Sequence, residues 1–307
     1  MVVLQRTLKE SVLFEGVGVH SGKDVTVEVL PAPAGHGIKF QRTDIEKNPT
    51  IPALWSYVTD TKLCTKISGS NANIGTIEHL VAALAAQKVD NALIKISGAE
   101  VPIMDGSAKP FIEKISDVGT LAQTAPRKFL VIKKTVKVSN GSSWAQIKPH
   151  ENTFSVRYMF KNRFNNVLEI FDTEDAIADF SNLAAARTFG FLEEVEQLRA
   201  AGLAKGGSLE NAVVFDNGKV INPEGLRYDN ECARHKALDV VGDLYLAGMP
   251  IIGRFEGFSS GHALNNALLE KLLNDRSAWT TQHVSEETSS NIKSHNIPST
   301  KKTHFGT

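Results

Sequence analysis

The chain has 307 residues, more than a single domain usually holds, so its length predicts two domains with separate cores. The 34 basic residues balance the 34 acidic ones and no long basic run occurs, which argues against nucleic acid or an anionic membrane as the main partner. The apolar runs are too short to span a bilayer, and the N-terminus lacks the apolar core of a signal peptide.

The first part of the chain mixes strand and helix patterns. Val25, Val27 and Val29 alternate with polar residues, which predicts a half-buried strand. The segment "IGTIEHLVAALAAQ" predicts a helix with Thr76 as a candidate cap. "NALIKISG" predicts a further strand, and "PIMDGSAKPF" predicts a turn that leads into a short helix.

A second mixed region follows a divide near residues 122–128. It begins with the strand-rich "FLVIKKTVKV" and continues with the helix "LEEVEQLRAAG", a hairpin at Asn217–Gly218, a long helix over residues 230–248, the strand "PIIGRFEG" and the helix "HALNNALLEKLL". Two mixed halves of similar size predict an α+β fold with two sandwich domains, residues 1–124 and 125–274. Residues 275–307 are rich in Ser, Thr, Asn and Lys without periodicity, so we expect a disordered tail with no catalytic part.

One stripe of the long helix carries groups that bind metals or protons. In "RHKALDVVGDL", His235, Asp239 and Asp243 are spaced four apart and therefore share one helical face. A histidine four residues before an aspartate can supply two ligands for a divalent metal such as zinc. For an isolated pair of this kind, an ion pair or a core hydrogen bond is the commoner explanation, and the pattern leaves both open.

Two further clusters supply complementary groups. Glu78 and His79 are adjacent in "TIEHL", and neighbours on a helix point about 100° apart, so one can bind a metal while the other reaches a water beside it. Alternatively, Glu78 complements the helix dipole, and His79 is a core histidine whose ring nitrogens have ordinary hydrogen-bond partners. His262 in "SSGHALNN" begins a helix after Gly261 and is either an acid or a turn residue without a role. The positions of these residues in the sequence do not show whether the three clusters lie together in the folded chain.

Six segments together resemble one enzyme family. "GVGVHSGKDVTVEVLPAP", "TIEHLVAALAAQKVDNALIKI", "EVPIMDGSAKPF", "ARTFGF", "GLRYDNECARHKALDVVGDL" and "SGHALNN" occur in the order seen in the UDP-3-O-acyl-N-acetylglucosamine deacetylases, zinc enzymes of the committed step of lipid A synthesis. The similarity runs from about Arg6 to Leu273. It implies two β-α-α-β sandwich domains packed against each other, each with a small insert and with the active site between them.

The resemblance also implies roles for the clustered residues. His79, His235 and Asp239 would bind zinc and leave an open coordination position, as a catalytic zinc requires, and iron(II) would accept the same ligands. Glu78 would be the general base that takes a proton from the attacking water.

The remaining catalytic roles follow by the same resemblance. His262 would be the protonated partner that stabilises the oxyanion and then protonates the leaving amine. Asp243 would accept a hydrogen bond from His262 and keep it charged, and Thr188 of "ARTFGF" would donate to the oxyanion.

Substrate-binding residues are carried over in the same way. Lys236 resembles the lysine that contacts the nucleotide sugar, and Phe189 would pack against the sugar. The insert after "ARTFGF" resembles a passage for the fatty acyl chain, narrowed by Gly206 and Gly207, and simple core packing is the alternative for its apolar residues. The residues expected to line it are Phe191, Val195, Leu198, Leu203 and Val213.

Two segments are less informative than these. His20 of "GVGVHSG" resembles a histidine near the catalytic cleft, without an assigned role. Residues 159–166 read "MFKNRFNN" and lack the Asp-Phe-Asp/Asn-His-Pro-like segment that many relatives carry near the uridine, so no uridine contact is assigned to them.

Other function classes fit the sequence less well. A structural-zinc module usually needs four protein ligands rich in cysteine, and a zinc peptidase more often carries H-E-x-x-H. A zinc amidohydrolase that acts on another acylated amino sugar is the nearest alternative. Cys64 and Cys232 have no C-x-x-C spacing, which favours a cytoplasmic setting. We expect a monomer that binds an acylated UDP-amino sugar, with no nucleic-acid partner and no membrane-spanning segment.

Overall fold

The computed structural model describes residues 2–162 and 167–285 and has a mixed α+β architecture with several sheets. This confirms the α+β part of the predicted fold class. Within the described residues the helices are α1 Glu78–Ala86, α2 Lys109–Val118, α3 Ser181–Ala184, α4 Leu192–Ala200, α5 Glu231–Tyr245 and α6 His262–Asn274, with a 3₁₀ turn at Trp55–Tyr57. No helix within these ranges is long and apolar enough to cross a membrane.

The strands fall into several separate sheets. Those of the first part are β1 Leu4–Leu8, β2 Val12–Val17, β3 Asp24–Pro31, β4 Ile38–Arg42, β5 Thr50–Pro52, β6 Val58–Asp60, β7 Lys66–Gly69, β8 Ala72–Ile74, β9 Ala92–Ile96 and β10 Thr120–Pro126. Those of the second part are β11 Lys128–Ile132, β12 Val136–Asn140, β13 Ser143–Lys148, β14 Phe154–Lys161, β15 Leu168–Thr173, β16 Phe189–Phe191, β17 Val213–Asp216, β18 Lys219–Val220, β19 Ile251–Phe258 and β20 Trp279–His283.

A five-stranded sheet forms the first part, in the order β2-β3-β9-β4-β5. The predicted strand at Val25–Val29 lies within β3, and all three valines are buried, as their alternation requires. The helix α1 is buried along almost its whole length and packs against α5 and α2. A small sheet, β6-β7-β8, leads directly into the start of α1.

The second part contains a seven-stranded sheet centred on β19. This strand pairs in parallel with β11 and β14 and antiparallel with β13, while β12, β15 and β20 extend the sheet. Helix α5 packs on β14 and β15, and α6 packs on β12 and β13. The predicted strand "PIIGRFEG" and the two predicted helices of this region are thereby confirmed.

The close approach of α1 to α5 positions the candidate site. A Cβ built on Gly242 of α5 would lie 2.1 Å from the carbonyl oxygen of Glu78 at the start of α1. Only glycine permits this contact, because any side chain would push the helices apart. The first turn of α1 is thereby held against the middle of α5, where Asp239 and Asp243 lie.

A smaller unit is inserted between α3 and α5. Its sheet, β16-β17-β18, is covered by α4. The hairpin predicted at Asn217–Gly218 joins β17 to β18, and the φ angles of 47° and 79° at these two residues are those of the tight turn that Asn-Gly favours.

Two details of the sequence interpretation are wrong. Residues 275–285 are not a disordered tail, since Trp279–His283 form β20 and pair antiparallel with β11. Thr76 is not the cap of α1, because Ile77 occupies the N-cap position and the Thr76 hydroxyl donates instead to Glu100. The rest of the predicted tail, residues 286–307, lies outside the described residues. The predicted domain boundary at residue 124 falls inside β10, which pairs with β1, and the division into domains stays a prediction.

Candidate active site

Three buried side chains from two helices converge in a manner suited to a metal ion. His79 lies on α1, and His235 and Asp239 lie one turn apart on α5. The Nε2 atoms of both histidines are 3.5 Å from Asp239 Oδ1. One ligand atom from each residue lies within 4.8 Å of the other two, which makes this group a candidate metal site.

The protonation states of this group suit a cation. Burial lowers the pKa of His235 to about 3, so this imidazole is neutral, and its Nδ1–H donates to the Ala186 carbonyl over 3.0 Å. Its Nε2 lone pair is therefore available as a ligand. Burial alone would raise the pKa of Asp239, but neighbouring positive charge, above all the Lys236 ammonium, outweighs it and holds this pKa well below its usual range.

An unpaired oxygen supports the same interpretation. Asp239 Oδ2 accepts a 2.7 Å hydrogen bond from Lys236, but the buried Oδ1 accepts none from any residue that the structure describes. A buried carboxylate oxygen without a partner is costly, and a metal ion between it and the two histidines would satisfy it. The donor set of two imidazoles and one carboxylate is one that catalytic zinc uses.

Glu78 stands beside this group as a candidate base. Its side chain is buried, and burial raises the pKa of its carboxyl group. The backbone N–H of Thr65 donates to Oε2 over 3.0 Å, and Oε1 lies 3.8 Å from Nε2 of His262. One carboxylate oxygen is thus held in place, while the other faces the candidate acid.

His262 is the first residue of α6 and points at the same centre. Its Nε2 is 3.8 Å from Asp239 Oδ2, and its Nδ1 is 2.8 Å from Asp243 Oδ2, which also accepts a 2.9 Å bond from Asn265. Burial alone would lower the pKa of His262, but Asp243 and Glu78 outweigh burial and raise it to about 9. The imidazole is therefore protonated at neutral pH.

Lys236 and Phe189 lie together on the insert side of the site. The Lys236 ammonium is 5.6 Å from the centre of the Phe189 ring, and this ring is 6.3 Å from the His235 ring. Burial alone would lower the pKa of Lys236, but Asp239 outweighs it and raises this pKa. A fixed cation beside an aromatic face is a surface that can contact a sugar and a phosphate.

A buried ion pair holds the "ARTFGF" segment against the start of α5. Arg187 Nε donates to Glu231 Oε1 over 2.9 Å, and both side chains are almost fully buried. This pair fixes the preceding Ala186 carbonyl, to which His235 donates. Thr188 follows, and its described hydrogen bonds are through its backbone, from Val213 and to Gly106.

The predicted acyl-passage residues lie in two environments. Val213 is buried in a small cluster with Phe215 and Cys232, so its side chain packs inside the insert. Half-buried side chains make up the rest of the set, and α4 has no fully buried residue, which leaves an apolar surface only partly covered. These half-buried residues are Phe191, Val195, Leu198 and Leu203.

His20 connects the first part of the chain with the insert. Its Nδ1 accepts a 3.4 Å hydrogen bond from the Ala204 N–H, and its carbonyl accepts one of 3.2 Å from Lys205. Burial lowers the pKa of its imidazole. The structure thus places His20 where the insert meets the turn at residues 18–22.

Sequence reasoning missed Thr65, Asn265 and the carbonyl of Ala186. Thr65 donates through its hydroxyl to Asp243 Oδ1 over 2.5 Å, and Asn265 donates to Oδ2 of the same carboxylate. The position of Asn265 three residues after His262 on α6 was a signal that could have been used. A backbone carbonyl has no signature in the sequence.

The chain is similar to known proteins along most of its length. Residues 5–274 match the family described as UDP-3-O-acyl N-acetylglycosamine deacetylase. The chain belongs to this family. Three relatives named UDP-3-O-acyl-N-acetylglucosamine deacetylase are similar along most of their length. That of Shewanella woodyi is 46% identical over 91% of this chain and 92% of its own, that of Acidithiobacillus ferrooxidans 46% over 91% and 92%, and that of Xanthomonas oryzae pv. oryzae 45% over 90% and 92%.

Membership in this deacetylase family confirms the resemblance found in the sequence. It makes the chain a hydrolase that removes an acetyl group, with the predicted function in lipid A biosynthesis. The buried group of His79, His235 and Asp239 could hold the metal that the sequence resemblance implies.

Proposed function

We propose that the chain hydrolyses the acetamide of UDP-3-O-acyl-N-acetylglucosamine to acetate and the free 2-amino group. The observation that carries this proposal is the convergence of Glu78 and His262 on the buried His79–His235–Asp239 group. Amide hydrolysis needs a base for the attacking water and an acid for the leaving nitrogen, and these two residues face each other across 3.8 Å.

The three-residue group would hold one divalent ion, zinc or iron(II), as the resemblance implies. When bound, such an ion supplies Lewis-acid polarisation of the acetamide carbonyl. The Ala186 carbonyl accepts the Nδ1–H of His235 and thereby leaves its Nε2 for the metal. The chain also keeps His235 neutral by burying it and Asp239 ionised through Lys236. Both effects favour the protonation states that metal ligands require.

Proton transfer is assigned to two residues. Glu78 takes the proton of the attacking water at Oε1, because Oε2 is occupied by the Thr65 N–H. His262 donates from Nε2 to the leaving nitrogen when the C–N bond breaks, and Asp243 stabilises its charged form through Nδ1. Thr188 is proposed to donate a hydrogen bond to the oxyanion.

Substrate binding is assigned to the insert side of the site. Lys236 and Phe189 are proposed to contact the nucleotide sugar, since a cation and a ring face lie together there. The half-buried apolar residues of the insert are proposed to receive the acyl chain, because their surface is only partly covered.

Two β-α-α-β sandwich domains are the proposed finer architecture, and the α1–α5 contact is their proposed interface. The monomeric state and the cytoplasmic location stay predictions.

Acetate release from a defined set of substrates tests the function. We expect release from UDP-3-O-acyl-N-acetylglucosamine and much slower release from UDP-N-acetylglucosamine, which lacks the acyl chain. Faster release from a different acylated amino sugar would favour the alternative amidohydrolase. An absence of acetate release from every N-acetylated sugar, in protein loaded with metal, would overturn the proposal.

The pH dependence of the rate tests the role of Asp243. The carboxylate raises the pKa of His262 to about 9, so the parent should lose activity at alkaline pH as Nε2 loses its proton. Asp243→Asn removes the charge that favours imidazolium, so the pKa of His262 should fall. We expect the alkaline limb to move to lower pH by about one unit or more. An unmoved limb would mean that another group is the acid.

Chain-length selectivity tests the acyl-binding role of α4. Val195→Trp fills part of the half-buried surface, so it should reduce kcat/KM for long acyl chains more than for short ones. Gln197→Trp, on the exposed side of the same helix, is the matched control. Equal losses for all chain lengths at Val195 would show that this residue only packs the insert.

A further inference from the structure

Thr65 contacts both halves of the proposed acid–base pair, although no role assigned so far depends on its side chain. It lies between β6 and β7 of the small sheet that leads into α1, directly precedes β7, and is only 2% exposed. Its backbone N–H donates to Glu78 Oε2 over 3.0 Å. Its hydroxyl oxygen is 2.5 Å from Asp243 Oδ1 and 3.2 Å from His262 Nδ1.

The hydroxyl hydrogen can be assigned from the partners around it. Thr65 has one hydroxyl hydrogen, and an ionised Asp243 can only accept, so this hydrogen lies on the 2.5 Å bond to Oδ1. The hydroxyl oxygen then offers only lone pairs to His262 Nδ1. Asp243 Oδ2 accepts from Nδ1 over 2.8 Å. The Nδ1 atom therefore faces two oxygens that act as acceptors.

This arrangement has a consequence for the proton of His262. A nitrogen that faces two acceptors keeps its proton, so the neutral imidazole is held as the Nδ1–H form. Nε2 is the atom that faces Glu78 Oε1 and Asp239 Oδ2, each at 3.8 Å.

The same residue also orients the base. Because the Thr65 N–H holds Oε2, the Glu78 carboxylate cannot rotate freely, and Oε1 remains directed at the centre of the site. One residue thus fixes the base through its backbone and the acid through its side chain. A misplacement of such groups by about 1 Å can cost a large factor in rate.

We propose that Thr65 is a positioning residue of the deacetylation reaction, whose hydroxyl orients Asp243 and His262 while its backbone orients Glu78. This proposal rests on the acid–base roles given under the proposed function. It assigns no contact between Thr65 and the substrate, so its loss should affect turnover rather than binding.

Replacement of the hydroxyl tests this role. Thr65→Val keeps the shape and the backbone N–H but removes the hydrogen bond to Asp243. We expect kcat to fall by about 10-fold or more, as for the loss of other outer-shell orienting bonds, with KM and metal content little changed. Thr65→Ser restores the hydroxyl and should recover most of kcat.

Two controls separate positioning from general stability. Thr7→Val removes another buried hydroxyl, one that donates to the Asn91 carbonyl over 2.8 Å far along the chain from these groups, and it should leave kcat unchanged. In an Asp243→Asn background, Thr65→Val should lower kcat by a much smaller factor than in the parent, because the two residues act through one hydrogen bond.

Each outcome decides the proposal. A Thr65→Val variant with the parental kcat would overturn it. So would a double variant in which Thr65→Val lowers the kcat of Asp243→Asn by the same factor as it lowers the kcat of the parent. Should the valine variant not fold, Thr65→Ala makes the same comparison, and equal kcat for the alanine and serine variants would overturn the proposal. Failure of the proposed function is distinct, since the parent chain itself would then release no acetate.

Discussion

Glu78→Gln should reduce kcat by about 10²-fold or more while the protein keeps its metal, because glutamine preserves the shape of the side chain but cannot accept the proton of water. The Thr65 N–H can still donate to the amide oxygen at the position of Oε2, so the side chain should remain in place. The measurements are acetate release under saturating substrate and metal content by elemental analysis.

A matched substitution guards this experiment against a general effect of lost charge. Glu113→Gln changes an exposed carboxylate on α2 and should leave both kcat and metal content at the parental level. If Glu78→Gln retained the parental kcat, Glu78 would not be the base. If it lost the metal, the residue would be a ligand or a support of one.

Removal of any one ligand should deplete the metal. His79→Ala, His235→Ala and Asp239→Ala each take away one donor of the buried group, and each should reduce metal content well below the parental value of about one ion per chain and abolish acetate release. Asp239→Ala also leaves the half-buried Lys236 ammonium without its partner, so this variant should be the least stable of the three.

His150→Ala is the control for the loss of an imidazole. His150 pairs with Glu174 and belongs to no candidate metal group among the described residues, so its replacement should leave the metal content unchanged. Full metal occupancy in all three ligand variants would contradict the assignment of His79, His235 and Asp239.

Periodicity and the resemblance predicted much of the fold and the central group of the site. The alternating valines of β3 and the Asn217–Gly218 turn follow from local chemistry, which the sequence contains in full. The stripe of His235, Asp239 and Asp243 follows from helical spacing alone. Joining that stripe to Glu78 and His262 required the resemblance, because the groups are separated by many residues of chain.

Other features could not be predicted from the sequence, and each has a physical reason. The strand β20 lies at the edge of its sheet and is mostly exposed, so its polar sequence shows no buried alternation and resembles a disordered tail. Thr65 contacts the site from the loop between β6 and β7, through a hydroxyl and an N–H whose partners are fixed only by tertiary packing. The Ala186 carbonyl that orients His235 depends on the buried Arg187–Glu231 pair, whose members are 44 residues apart.

Titration of metal into metal-free protein tests the central claim most directly. Chelator-treated chain should release no acetate from UDP-3-O-acyl-N-acetylglucosamine, and added zinc should restore the rate in proportion until about one equivalent is bound. The same titration of His235→Ala should show no restoration at this stoichiometry, since the protein would lack one of its three donors. A parental rate of acetate release from protein shown by elemental analysis to be free of metal would contradict the account.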